Sequence, residues 1–585
     1  MGTSSTISGK PADLVSFKIL ANNNALSGES RIVSLEVTKQ FNRIASARIT
    51  MADGDPAKQD FAISSKEDSL LPGSEIEIQL GYHGKSKTVF KGIIARQSLR
   101  SNKNKASFLT IDARDKAIQL TLARKNQTFA DKKDSEIIEA ILKKSGLAGK
   151  DIEVEESSLS HAEMVQYNVS DWDFLVSRAE MNSMLVFTDN NRIVIKKPST
   201  EGDPAFEVTF GKDVLEFDSE LDGVSQIKEV KGHAWNYKDQ KLDESAPGSV
   251  KFKENGNTKA ESFADAFKVT GYDLYHPGSL KTTELKNWSD ARLLKSRMAK
   301  SRGRIVIKGL PDINPGQLIK LNGFGKRFNG IVYTTGVRHV YDKSIWETEI
   351  RFGLASDWFY QTDDITEKPA AGILPGVNGL QIGIVTKIEG DPDKEDRIRI
   401  YLPTVDSKEG LWARVASLDA GKDRGSFFRP EINDEVVVGF LNDDPRHPVI
   451  LGSLNSSAKP SPFQSKDTNH EKGFITRSKM KFLFDDDKKY IRLETPKGKK
   501  IEISDDEDNV TVSDQNNNRI VLNSEGVSIE TSKNISFKTS GGDIKLEGLN
   551  IELKASVKAA VKGGASGEFS SSGQTVLKGS IVNIN

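Results

Sequence analysis

The sequence predicts a mainly β protein with a few inserted helices. Three observations predict it. Apolar and polar residues alternate through much of 14–122 and 304–354. Five short strands crowd into 380–451, and a short apolar repeat runs on from Ile491.

The first strands read 32–37, 75–80 and 107–111. Each has the period-2 alternation of a half-buried antiparallel strand, and Asp53-Gly54 and Pro72-Gly73 supply turns. Strands punctuated this closely predict a barrel or sandwich. Two helices interrupt. Over 134–145, Ile137, Ile138, Ile141 and Leu142 share one face, with Asp134 and Ser135 as candidate caps and Gly146 as a stop. Over 170–182, Ser170 and Asp171 lead into Trp172, Phe174, Leu175 and Val176. A hairpin is expected next, with 184–187 and 193–195 flanking Asp189-Asn190-Asn191. Strands resume near Phe206, and the polar stretch 245–262 reads as an exposed insertion or loop. A helix over 289–300 precedes a second β block with turns at Pro315-Gly316 and Asn329-Gly330.

Residues 362–375 have the composition of a linker. The strands 380–388, 397–401, 412–415, 435–440 and 448–451 then match a small closed β-barrel such as an OB-fold. A second linker is expected over 455–468.

The tail changes character at Pro496. Beyond it there is no Pro, Trp, Tyr, Met or His, and only two Phe. Apolar pairs recur instead: Ile491/Leu493, Ile501/Ile503, Val510/Val512 and Ile520/Leu522, about ten residues apart. Val527/Ile529, Ile535/Phe537, Ile544/Leu546 and Ile551/Leu553 follow at seven to nine. A fixed short period marks a β-solenoid or fibre. These last eight residues are the expected needle core. Each repeat offers only about two inward side chains, against an ordering cost of ~1–2 kcal/mol per residue. One chain so wound encloses little core, whereas several copies about an axis fill each layer and pair strand edges. The repeat fades over 555–572, which is rich in Ala, Gly and Ser, and returns at Val576-Leu577 and Ile581-Val582.

Composition narrows the function. Lys+Arg and Asp+Glu balance at 83 each, so no global field attracts nucleic acid or anionic lipid. With no cysteine, a disulfide scaffold, a thiolate metal site and a Cys nucleophile are all excluded. No run approaches the ~20 apolar residues of a membrane span. Residues 1–11 lack the apolar core of a secretory signal, so no signal peptide is expected, and assembly in the cytoplasm is.

Three blocks carry a resemblance. The first is Gln166-Tyr167 with Ser170-Asp171-Trp172-Asp173-Phe174-Leu175 and Arg178-Ala179-Glu180. The second is Pro315-Gly316, Gly323-Phe324-Gly325, Phe328-Asn329-Gly330, His339, Trp346 and Phe352-Gly353. The third includes Gly383-Ile384-Val385, Arg397-Ile398-Arg399-Ile400, Leu402-Pro403, Trp412-Ala413-Arg414-Val415 and Asp444-Pro445-Arg446-His447-Pro448. In this order they resemble VgrG-type spike proteins and related phage baseplate hubs. The resemblance implies hub β-barrels with inserted helices, an OB-fold barrel and a C-terminal intertwined trimeric β-helix. The expected division is a first hub β-barrel over 1–127, a helical and hairpin insertion over 128–205 and a second hub β-barrel over 206–361. A linker (362–375), the OB-fold (376–455), a transition (456–490) and the needle (491–585) complete it.

The same resemblance implies a homotrimeric puncturing spike at the tip of a contractile injection apparatus, that of type VI secretion. Its implied partners are an Hcp-like inner-tube ring, baseplate proteins, a PAAR-type tip protein docked at Ser580, Ile581, Val582, Asn583, Ile584 and Asn585, and separate effector proteins. Sheath contraction would carry it out of the cell or into a target, meeting the membrane only by mechanical puncture. The alternatives are an extracellular phage-tail-like injection particle, a phage tail and, more remotely, a cell-wall hydrolase. The last needs a further globular domain, for which 455–468 is too short, so no enzyme, catalytic residue or cofactor is expected.

The chemical motifs in the sequence are weaker than the bland readings beside them. Gly84-Lys85-Ser86 lacks the first glycine of a P-loop, and Gly323-Phe324-Gly325 lacks the third glycine of a dinucleotide loop. Asp505-Asp506-Glu507-Asp508 lacks the glycine turn of a Ca²⁺ loop and reads as a solvated turn. His339 and His447 read as structural, and Ser566 lacks a nucleophile elbow. Arg397, Arg399, Arg414, Lys422, Arg424 and Arg429 lie among carboxylates with no aromatic platform, so no nucleic acid is expected.

Overall fold

The alternating segments form strands where the pattern places them. In the computed structural model the strands Ile32–Gln40, Glu75–Tyr82 and Lys105–Arg114 all belong to one large sheet. The residues described are 5–6, 14–26, 31–103, 105–362 and 365–584. They fall into two units, 1–377 and 378–585.

In the first unit fourteen strands form a single branched sheet. The branch point is Gly330–Asp342, which pairs antiparallel with Leu318–Asn322, Ile345–Phe352 and Ile32–Gln40. Its 13 residues span roughly 44 Å at ~3.4 Å per residue, long enough to serve two cores. One core gathers Ile19, Val37, Ile49, Ile78, Phe90 and Ile111. The other gathers Val208, Ile305, Ile319, Val332 and Ile350. The two β blocks therefore share one continuous sheet. Trp346, from the second block, packs into the first core against Tyr82, with ring centroids 5.1 Å apart. At the Pro72-Gly73 turn Gly73 sits at φ +100°, where a side chain would be strained.

Between the blocks lie the helices Asp134–Lys144 and Asp171–Met181 and the hairpin Leu185–Asp189/Arg192–Lys196. Asn190 and Asn191 take φ of 54° and 70°, as a tight two-residue turn requires. Ile137, Ile141, Trp172, Leu175 and Val186 share a core. Ser170 caps the second helix by accepting from the Asp173 amide at 3.1 Å. Asp134 does not cap: it lies inside the first turn, and its carboxylate is used elsewhere.

Two expectations are corrected here. The third long helix runs Thr282–Ala299, starting seven residues before Ser289. Ser289 is buried mid-helix and donates to the Leu285 carbonyl one turn back, so it looks like a cap without being one. The stretch 245–262 is not a free loop. Ser245 and Asn255 are buried, Val250 and Phe252 pack on a core, and the Lys300 ammonium clamps the backbone of Asn255 and Thr258.

In the second unit five strands close into a barrel, in the order Gln381–Lys387, Ile398–Leu402, Asp406–Val415, Pro448–Ser453 and Glu435–Phe440. Val385, Ile400, Ala413, Val436, Val438 and Ile450 fill it. A seven-stranded antiparallel meander follows, from Glu471–Ile475 to Gly526–Glu530. It begins inside the stretch expected as a transition (456–490). The alternation of Phe482 and Phe484 continues the apolar face of the later strands.

Candidate assembly interface

The meander is built from five-residue strands and short turns, so the apolar pairs come about ten residues apart. Antiparallel register stacks them. Ile491 faces Ile503, Leu493 faces Ile501, Ile501 faces Val512, Val512 faces Ile520 and Ile520 faces Ile529. With Phe482 and Phe484 opposite Leu493 and Ile491, this makes one continuous apolar face. It is uncovered: Ile491, Leu493, Ile501, Ile503 and Val512 remain 41–47% exposed. Leu493, Ile501, Val512 and Ile520 line an open groove of about 630 Å³ upon it. An apolar surface of this extent marks an interaction site.

The reverse face is mixed: Leu483 and Val521 are buried there in line with Arg492, Glu502 and Thr511. Glu502 is buried between Arg492 and Lys500. Burial pushes its carboxyl up, but those two cations outweigh it and hold it below the usual range. A sheet with its charges neutralised on one side and its apolar side chains open on the other has one face left to cover.

After Glu530 the in-chain ladder stops, one strand after the apolar period shortens from ten to about eight. Among the described residues, 531–584 form no strand with any other part of the chain. Val527 and Ile529 lie on the last meander strand. Ile535, Phe537, Ile544, Leu546, Ile551 and Leu553 lie beyond it, each about half or more exposed. One chain thus supplies these side chains with no core. Ser580, Ile581, Val582, Asn583 and Ile584 are exposed, and Asn585 lies outside the described residues.

In the first unit the resembling helix is an ionic keystone. The Asp134 carboxylate accepts from Arg178 at 2.7 and 3.0 Å and from Asn182 at 2.8 Å, and lies 3.0 Å from His161. Burial pushes the Asp134 carboxyl up, but Arg178, Asn182 and His161 together hold it below its ordinary value. Glu180 pairs with Lys295 and accepts from the Phe359 amide at 2.9 Å. Gln166 donates to Asp171 at 3.0 Å. These residues lock elements together rather than open a pocket. His339 is buried with Nδ1 3.0 Å from the Thr348 hydroxyl, and burial, then the Lys39 charge, pushes its pKa down to about 3. His447 is exposed beside the barrel, in a cleft with Trp412 and Arg414.

Most barrel arginines are already paired: Arg397 with Asp391 and Asp393, Arg424 with Asp419, Arg429 with Asp396 and Arg446 with Asp444. Among the described residues no group of three or more His, Asp or Glu is placed to hold a metal, and no helix is long and apolar enough to cross a membrane. Sequence reading missed Phe474, Phe482 and Phe484, whose rings run together at centroid distances of 6.5 and 4.8 Å. The signal was present in the spacing of Phe482 and Phe484, but proximity to a linker hid it.

The branched double-core sheet, the five-stranded barrel and the open-faced apolar meander define a mainly β protein whose second unit ends in an uncovered apolar ladder. Comparison with known proteins narrows this. Residues 11–343 match the family described as the Alg8 N-terminal domain, and 381–454 match the type VI secretion system/phage-baseplate injector OB domain. The chain belongs to the Alg8 N-terminal domain family. It is 23% identical over 441 residues to the type VI secretion system spike protein VgrG1b of Pseudomonas aeruginosa, covering 70% of this chain and 57% of that protein. Identity to VgrG1a of the same organism is 22% over 438 residues, covering 70% and 66%. The chain therefore spans between half and two thirds of the length of these relatives. Among solved structures, a tail protein from Neisseria meningitidis aligns at a TM-score of 0.43 and 12% identity, over 59% of this chain and 98% of that one. The E. coli c3393 protein, described as a type VI secretion component, aligns at 0.37 and 14%, over 75% and 100%.

Proposed function

We propose that this chain is the puncturing spike of a contractile injection system and that it works as a homotrimer. The observation that carries the reading is the uncovered apolar ladder running from Phe474 into the unpaired stretch 531–584. Burying its side chains stabilises by ~25 cal/mol per Å², and only further copies bring the same pattern to every layer. Needle-core residues Val527, Ile529, Ile535, Phe537, Ile544, Leu546, Ile551 and Leu553 then face a shared axis. Ladders of backbone hydrogen bonds between copies make such a rod stiff, because bending it breaks many bonds together.

In this reading the first unit docks on an Hcp-like ring and the baseplate. The exposed Ile581, Val582 and Ile584 meet a PAAR-type tip, and effectors ride as separate proteins. The role is mechanical and needs no catalytic residue. Both a membrane-anchored type VI apparatus and a free extracellular particle use such a part. The spike names of the relatives support it. Native mass measurement tests it: three copies are expected, and a stable monomer with an intact tail would refute the needle.

A further inference from the structure

The turns of the meander alternate between its two rims, and the rims carry opposite charge. On one rim lie the turns 486–489, 505–508 and 524–525, with seven acidic and two basic residues. On the other lie 476–480, 495–499 and 514–518, with four basic residues and one acidic. The sorting is not forced by the strands, whose charges pair locally as Arg492–Glu502 and Lys481–Glu494 do. It is confined to the turns.

The rims cannot neutralise each other within one copy. Five-residue strands at ~3.4 Å per residue hold them roughly 17 Å apart. That is about twice the ~8 Å screening length at physiological salt. Nor are all the turn charges used up locally. Asp505 and Asp506 on one rim, and Lys497 and Lys499 on the other, make no ion pair among the described residues. Arg477 does, reaching Glu431 at 2.9 Å, and so does Asp486 of the acidic rim, which pairs with Lys472.

We infer that the acidic rim of one copy's meander docks against the basic rim of the next, so that charge sets the direction and register in which copies close over the apolar face. This rests on the trimer reading and adds to it. The occupant is a second copy because each copy offers both partners of the pair. A head-to-tail ring satisfies every rim at once, whereas the apolar ladder alone is indifferent to direction. The apolar face supplies the burial and the rims select among its possible pairings.

The test uses the full chain and three variants. Asp487→Lys/Asp505→Lys/Asp506→Lys makes both rims basic. Lys497→Glu/Lys499→Glu makes both rims acidic. The third variant combines all five changes and exchanges the signs. Native mass measurement against protein concentration, at low salt, is expected to show each single-rim variant needing at least tenfold more protein to assemble, with the combined variant recovering most of the loss. Raising the salt is expected to narrow the gap. Assembly of both single-rim variants at wild-type concentration overturns the rim pairing while leaving the trimer standing, and makes another partner the acidic rim's occupant. A combined variant no better than either parent also overturns it. A monomeric wild-type chain overturns the trimer and the rim pairing together.

Discussion

Lys300→Met tests whether the polar stretch 245–262 is held by one buried cation. The Lys300 side chain is 2% exposed, and its ammonium sits 2.8 Å from the Asn255 carbonyl, the Thr258 carbonyl and the Glu254 carboxylate. Methionine keeps the length and apolar stem but donates nothing, so packing changes little. Two carbonyls lose their donor, at ~1 kcal/mol each, and the carboxylate bond is worth ~1.5–3 kcal/mol. Glu254 keeps the Ala260 amide at 2.8 Å and Arg297 at 3.6 Å, which limits its loss. Removing the ammonium also removes its own desolvation cost. The net expectation is about 3 kcal/mol, or roughly a hundredfold in a local opening constant, since 1.4 kcal/mol is tenfold. Hydrogen exchange reads this directly at the Gly256 amide, bonded to the Asn329 carbonyl at 2.8 Å, and at Ala260. Both are expected to lose about two orders of magnitude of protection while the Trp172 helix keeps its own. Adding Glu254→Gln should recover part of the loss. Exchange within threefold of wild type at both amides would refute the clamp.

Ile544→Asp places one charge per copy in a shared layer, and is expected to abolish the trimer in native mass measurement, each buried unpaired carboxylate costing several kcal/mol; an intact trimer removes Ile544 from the core. Removing residues 580–585 should spare the trimer and abolish tip-protein binding in a pull-down; undiminished binding moves the docking site elsewhere. For His339, the folded pKa of about 3 lies below the ordinary value, so the unfolded chain takes up the proton first as pH falls. Stability of the first unit is therefore expected to decline from about pH 6.5 toward 3, by up to ~4–5 kcal/mol. His339→Gln should flatten that slope in thermal melts taken across the range.

Much of the fold was legible because it rests on local pattern. Alternation at 32–37 and 75–80, the Asn190-Asn191 turn and the five barrel strands each follow from the side chains of a few consecutive residues. Ser289 and Asp134 misled because a polar residue before an apolar run looks the same whether it caps a helix or bonds across the core. Asp134 is claimed by Arg178, 44 residues away, and no window of sequence contains that fact.

The sequence by itself determined that the tail's apolar side chains repeat at a short period and that one chain offers them little core. Composition and spacing fix those. Tertiary structure decided where in-chain pairing ends. Ten-residue spacing leaves room for a strand and a turn, so the chain folds back on itself to Glu530. Beyond it, among the described residues, the chain forms no further strand. Structure also decided that alternate turns fall on opposite rims, which turns a mixed run of charges into two surfaces of opposite sign.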